Sequence, residues 1–147
     1  VCTTNNNDEA KSTFFTKEEI KLSIRINANY ESIAPLNIGF HLKDRLGQLI
    51  VGTNTKMLSE DLLAFQTGNP FICQFRFSLA IAPGEYTLDV AVAENQINTK
   101  KVYDWINNAL SITVTSKDLL SEHAGLYCPT VNVSTFGLTE MYTNSSA

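Results

Sequence analysis

The sequence predicts an all-β protein, an immunoglobulin-like antiparallel β-sandwich of about 7–9 strands. Apolar and polar residues alternate with a period of two in several segments, which is typical of strands with one buried face. Turns rich in Gly and Pro separate these segments, and no strand is followed by a long helical pattern, so a parallel sheet is not expected. A jelly roll is the alternative architecture.

The composition fits one globular domain. Of its 147 residues 44% are hydrophobic and 18% are charged, which argues against disorder. The net charge of -4 offers no basic surface for a nucleic acid, so no nucleic-acid partner is expected. The three cysteines are widely spaced and match no metal motif, and we predict neither a metal site nor a cofactor. The start at Val1, without Met, suggests a piece of a longer protein.

Residues 1–13 are polar and lack periodicity, which predicts a linker or frayed terminus. We place the sandwich at residues 14–136 and a C-terminal tail at residues 137–147. The first strand is predicted over residues 20–29, where Ile or Leu occupies every second position as far as Ile26.

Two β-hairpins are predicted next. In the first, a strand through Ile38 and Leu42 turns at residues 44–47 and returns over residues 48–52, with Gly47 suited to a positive φ. In the second, an apolar row over residues 71–81 turns at Pro83-Gly84 and returns over residues 86–92.

The remaining segments carry weaker patterns. Residues 56–65 predict a helical turn that Ser59 could cap, and residues 95–108 predict a loop with aromatic anchors. A strand is then predicted over residues 110–114, and a last strand through Val131 and Val133 towards Phe136.

Catalytic chemistry is not indicated. His41 lies on the polar face of a predicted strand and His123 in a polar connector, and neither adjoins a nucleophile motif. Asp89 and Glu94 could form a carboxylate pair like that of a glycosidase, but two acids alone do not establish one. We therefore predict a protein that is not an enzyme, with no catalytic residue.

The outer rows of the strands carry a candidate sugar-binding surface. Small residues (Gly39, Ala91 and Ala93) leave room for a shallow depression, and planar polar side chains around it could satisfy sugar hydroxyls. An aromatic ring can pack on the apolar face of a pyranose. The candidate carbohydrate-binding residues are Asn37, His41, Lys43, Gln74, Arg76, Asp89 and Trp105.

Plainer interpretations exist for the same residues. Polar outer rows are normal on any antiparallel sheet that faces water. Trp105 could equally close one end of the sandwich, since a tryptophan is rarely buried completely. Arg76 could form a cross-strand ion pair with Asp89.

Three stretches resemble a known family. They are IGFHLKDRLGQLIVGTNT at residues 38–55, the turn Pro83-Gly84-Glu85-Tyr86, and Asp104-Trp105 before a strand. Together they resemble the C-terminal carbohydrate-binding domain of Wzt-type proteins, which are ATP-binding subunits of bacterial ABC transporters that export O-antigen polysaccharide. The resemblance runs from about Phe14 to Tyr127.

The resemblance implies a noncatalytic module that recognises an O-antigen polysaccharide at its modified terminus before export. It also implies a cytoplasmic location at the inner membrane, with a transmembrane exporter subunit reached through the parent protein. Similar domains form homodimers by exchanging a C-terminal strand, for which the candidate here is Thr130–Phe136 after Pro129. The alternative function is a structural or assembly domain that contacts a protein through a sheet face or the last strand.

Overall fold

The computed structural model describes residues 1–27, 35–58, 70–94, 101–117 and 123–135, and within these ranges the chain forms eight strands and no helix. The strands are β1 (Cys2–Thr4), β2 (Thr13–Phe15), β3 (Glu19–Ile26), β4 (Leu36–Asp44), β5 (Leu49–Asn54), β6 (Phe71–Ser78), β7 (Gly84–Glu94) and β8 (Val102–Thr115). A three-stranded sheet has the order β1-β3-β6, and a five-stranded sheet has the order β2-β8-β7-β4-β5. The pairings are antiparallel except for β2 with β8, and the predicted all-β sandwich is confirmed.

The core forms where the apolar rows of the two sheets meet. Phe40 of the five-stranded sheet stacks on Phe77 of the other sheet, with ring centroids 5.0 Å apart, and meets Phe75 edge-on at 5.1 Å. Alternate residues of β3, β4 and β7 are buried beside these rings, as the period of two predicts. Most of the stabilising apolar burial therefore lies on the inner faces, and the outer face of the five-stranded sheet is available for other roles.

The predicted β4–β5 hairpin is confirmed. Gly47 has a φ of 79°, a conformation that is strained for residues with a Cβ. Asp44 fixes the turn through Oδ1, which accepts hydrogen bonds from the N–H groups of Leu46 and Gln48 at 2.9 Å each.

The predicted second hairpin is wrong. β6 pairs with β3 in the three-stranded sheet, and β7 pairs with β4 and β8 in the other sheet. The Pro83-Gly84 turn therefore leads from one layer of the sandwich to the other. Alternation shows which face of a strand is buried but does not identify its partner.

The predicted loop over residues 95–108 is also wrong for its described part, because β8 begins at Val102. Its pairing with β7 is irregular: Leu88 lies opposite Leu110, whereas Val90 lies opposite Ile106. The extra residues form a bulge, which interrupts the period of two and hides the strand in the sequence. Residues 95–100 lie outside the described ranges.

Residues 1–13, for which a linker or frayed terminus is predicted, contain strand β1. β1 extends the three-stranded sheet by pairing with β3, and the turn that follows β1 covers Lys21. Lys21 is 6% exposed, and its Nζ donates hydrogen bonds to the carbonyl oxygen of Asn6 at 2.9 Å and to Asp8 Oδ1 at 2.8 Å. Much of the N-terminal segment is held by hydrogen bonds and not by apolar contacts. Its sequence therefore needs no hydrophobic periodicity, which is why alternation did not predict the strand.

Several predictions concern residues near the ends of the described ranges. Residues 59–65 of the predicted helical turn, its cap Ser59, and residues 136–147 lie outside them. Residues 130–135 are described and form no strand in the single chain, and Val131 and Val133 are 67% and 88% exposed.

Candidate functional site

A depression lies on the outer face of the five-stranded sheet, where small residues sit between larger ones. Gly39 of β4 lies opposite Asn54 of β5 on one side and Ala91 of β7 on the other, and Ala91 lies opposite Trp105 of β8. The cavity above this row has a volume of about 140 Å³. This volume is below the roughly 300–1,000 Å³ of typical small-molecule sites, so the depression suits one small group or sugar residue.

Gly39 is required at the floor of the depression. A Cβ at this position would lie 2.9 Å from both Asn54 Cβ and the carbonyl oxygen of Thr53. Such distances are shorter than van der Waals contact, so no larger residue fits without displacing β5. The depression is therefore built into the register of β4 and β5.

Trp105 forms one wall and is 49% exposed, so it does not plug the sandwich. Its ring meets the ring of His41 edge-to-face, with centroids 5.7 Å apart and planes at 75°. Its Nε1 donates a hydrogen bond to Asn107 Oδ1 at 3.0 Å. A Cβ at Gly52 would lie 3.0 Å from His41 Cδ2, so glycine leaves space for the imidazole. The two rings form an oriented aromatic wall that faces solvent.

Asp89 lies beside the depression but is almost completely buried, with 4% exposure. Its Oδ1 accepts a hydrogen bond from the N–H of Asn108 at 2.8 Å, and its Oδ2 lies 2.7 Å from Lys43 Nζ. Burial alone would raise the pKa of Asp89, but these two contacts keep it below its usual value. Asn108 has a φ of 51° in the β8 bulge, so Asp89 holds the bulge that follows Trp105.

Two asparagine amides line the opposite side, and their oxygens are engaged by the turn after β5. Asn54 Oδ1 accepts from the N–H of Met57 at 2.9 Å, while the Asn54 carbonyl oxygen accepts from the N–H of Leu58 at 3.1 Å. Asn37 Oδ1 accepts from the N–H of Lys56 at 3.2 Å and from Thr55 Oγ1 at 3.3 Å. Both amides are therefore oriented by backbone N–H groups, as at a helix N-cap.

The comparisons with known proteins fit this architecture. The sequence profile of the Wzt C-terminal domain matches residues 1–127. This chain belongs to the Wzt C-terminal domain family. A solved structure, described as the crystal structure of the C-terminal domain of wzt, has a TM-score of 0.82 and 12% sequence identity to it. The alignment covers 92% of this chain and 80% of the other, and at this identity it supports the fold. No curated protein sequence matches the chain.

Membership in the Wzt family confirms the predicted resemblance and associates this domain with the ATP-binding subunit of an O-antigen ABC exporter. No helix in the described part of this Wzt-type domain is long and apolar enough to cross a membrane. The same residues contain no cluster of three or more His, Cys, Asp or Glu side chains that could hold a metal ion.

The structure brings together only some of the predicted site residues of this Wzt-type domain. Asn37, His41, Asp89 and Trp105 line the depression, and Lys43 is next to it as the ion-pair partner of Asp89. Gln74 and Arg76 lie on β6 in the other sheet, where Gln74 bonds Ser23 and Arg76 lies near Glu19.

The predicted ion pair between Arg76 and Asp89 is wrong, because β6 and β7 are in different sheets. The site analysis of the sequence also missed Asn54, whose place at the depression follows from its pairing with Gly39. The signal available was its position just before a turn, where Asn is a common cap.

Proposed function

We propose that this domain binds a bacterial O-antigen polysaccharide, at its modified terminus, and selects it for ABC-transporter export without catalysing a reaction. The observation that carries the proposal is the half-exposed ring of Trp105 beside a depression floored by Gly39 and Ala91. Exposing this much of a tryptophan ring leaves apolar surface in water that a sugar ring could cover.

The chemistry of the depression supports binding rather than turnover. Asp89, its one charged lining residue among those described, has both oxygens engaged and a lowered pKa, so it is a poor general acid near neutral pH. The amides of Asn37 and Asn54 and the ring of His41 offer hydrogen bonds, and Trp105 offers a stacking surface. Affinity for a single sugar should be weak, because its hydroxyls lose water when they bind.

The proposal places the domain in the cytoplasm at the inner membrane, behind the nucleotide-binding domain of its parent protein. The parent would then contact the transmembrane exporter subunit. Family membership supports this placement.

Retention of the O-polysaccharide from the producing strain tests the proposal, with an unrelated O-polysaccharide as the specificity control. Because Trp105 is the single tryptophan of the chain, its fluorescence reports directly on the site. Trp105→Ala lacks this fluorophore and is measured by retention, in which binding should weaken by about three- to tenfold, as expected for the loss of one aromatic contact.

The matched controls are Gln74→Ala and Arg76→Ala, which change polar side chains on the other sheet and should leave binding intact. Full retention by Trp105→Ala together with loss in either control would show that the chosen face is wrong. A glycan shortened by long incubation with the domain would instead indicate an enzyme.

The second candidate function is assembly, in which residues 130–136 are exchanged between two copies to form a homodimer. Val131 and Val133 are exposed and form no strand within the single chain. Among the described strands, β6 stands at the end of the order β1-β3-β6, and strands at the end of a sheet readily pair with other chains. Sedimentation of the full chain tests this: a monomer that persists at high concentration excludes strand exchange, and deletion of residues 130–147 should convert a dimer to a monomer.

A further inference from the structure

We infer that the depression recognises an uncharged sugar through an acetyl substituent, carried as an acetamido or an O-acetyl group. This inference rests on the proposed function and specifies the class of sugar. It follows from three properties of the depression, which are its fixed hydrogen-bond donors, its balanced charge and its apolar floor.

The donors come from the two asparagines. Each amide oxygen accepts hydrogen bonds from groups of the turn after β5: Asn54 Oδ1 from Met57, and Asn37 Oδ1 from Lys56 and Thr55. Because backbone N–H groups require an oxygen, these contacts fix which end of each amide is the NH₂ group. Neither NH₂ group has a hydrogen-bond partner among the described residues. The asparagine side of the depression thus offers donors and calls for an acceptor such as a carbonyl oxygen.

Charge balance favours an uncharged group. Asp89, the one charged residue among those described at the depression, is neutralised by Lys43 at 2.7 Å and receives a further hydrogen bond from Asn108. A phosphate or carboxylate would lose water there without gaining a free Lys or Arg, the side chains that usually bind such anions. The ring of His41 can donate or accept and so does not impose an anion.

The floor and far wall are apolar. Ala91 and Ala93 project from β7, and Val102 lies opposite Ala93 on β8. A methyl group is covered by such side chains, whereas a bare hydroxyl or ammonium group would lose water. An acetyl group combines a carbonyl acceptor with a methyl group, and it matches the donors on one side and the alanines on the other.

The test uses a microarray of neutral, acidic, acetylated and non-acetylated bacterial polysaccharides. The array is probed with the full chain. Each bound glycan is then treated with mild alkali to remove O-acetyl groups, or chemically N-deacetylated, and its affinity is measured again by Trp105 fluorescence. We expect bound members to be neutral and acetylated. Removal of the acetyl group, which takes away the carbonyl acceptor, should weaken binding by about fivefold for each hydrogen bond lost.

Asn54→Ser separates the two roles of Asn54. A serine oxygen can still accept the N–H of Met57, so the turn is retained, but the NH₂ donor is lost. This variant should bind the acetylated glycan about fivefold more weakly and should respond less to deacetylation than the wild type does. The matched control is Gln74→Ser, which removes a side-chain amide on the other sheet and should change neither value.

The outcomes distinguish the inference from the proposed function. Binding that survives deacetylation unchanged, or a preference for acidic glycans, overturns the acetyl inference and leaves polysaccharide binding intact. If the chain retains no member of the array and also fails to retain the producing strain's own O-polysaccharide, the proposed function is overturned, and the acetyl inference with it.

Discussion

Replacement of Asp89 tests whether this buried side chain holds the bulge in β8. Asp89→Ala removes the acceptor of the Asn108 N–H and the partner of Lys43, both held by a side chain that is 5% exposed. A buried N–H without a partner costs about 1–3 kcal/mol, and a hydrogen bond to a charged group contributes about 1.5–3 kcal/mol. Because Lys43 is 22% exposed and can turn towards water, we expect a total loss of about 2–4 kcal/mol in the free energy of unfolding.

Asp89→Asn is the informative partner of this variant. It retains an oxygen for the Asn108 N–H and removes the charge, so its loss should be smaller, about 1–2 kcal/mol. Urea unfolding followed by circular dichroism measures the loss in the free energy of unfolding for both variants. In thermal unfolding, the alanine variant should melt about 5–12 °C below the wild type. Equal losses in the two variants, or a loss below about 0.5 kcal/mol for Asp89→Ala, would refute the assigned role of Asp89 in holding the β8 bulge.

Three further predictions follow from the structure. The pKa of Asp89 is lowered in the folded state, so its stabilisation is complete above the unfolded value of about 3.9 and is lost as the pH falls below it; the stability gap between wild type and Asp89→Asn should close over that range in pH-dependent unfolding. Gly39→Ala should cost about 1–3 kcal/mol in urea unfolding and weaken glycan retention, because its Cβ would lie 2.9 Å from β5. Deletion of residues 1–10 should destabilise the domain, measured by its melting temperature, because it exposes Lys21 and removes β1; the matched control Lys21→Met in the full chain should lose less.

Local patterns of the sequence were sufficient for the elements whose contacts are local. The β4–β5 hairpin was predicted because Asp44 and Gly47 favour a tight turn between two alternating segments. The partners of β6 and β7 were not predicted, because the choice of partner depends on how the two layers pack. Pro83-Gly84 indicates a change of direction, but the same turn can join neighbouring strands or opposite sheets.

The sequence predicted the candidate site only in part, because the site depends on strand pairing as well as on alternation. Period-two alternation placed Asn37 and His41 on an outer face, and both line the depression. Trp105 also lines it, but it was chosen as an aromatic residue of a predicted loop, because the bulge in β8 hid its strand. Alternation could not assign Gln74 to a different sheet, because that requires the strand order. It also gave no sign that Asp89 would be buried by the bulge in β8, since a bulge interrupts the alternation of apolar and polar residues.

Under the proposed function, the separation of inner and outer rows would allow one fold to serve different glycans. This chain and the solved Wzt C-terminal domain share a fold at 12% identity, so the fold tolerates extensive substitution. The inner rows need only remain apolar and fill the space around Phe40, whereas the outer rows contribute little to that core. A change at Asn54 or Val102 should then alter which substituent is bound while the sandwich stays intact. Under the proposed function, specificity would be set by a few outer side chains, whose positions depend on Gly39, Asp89 and the turn after β5.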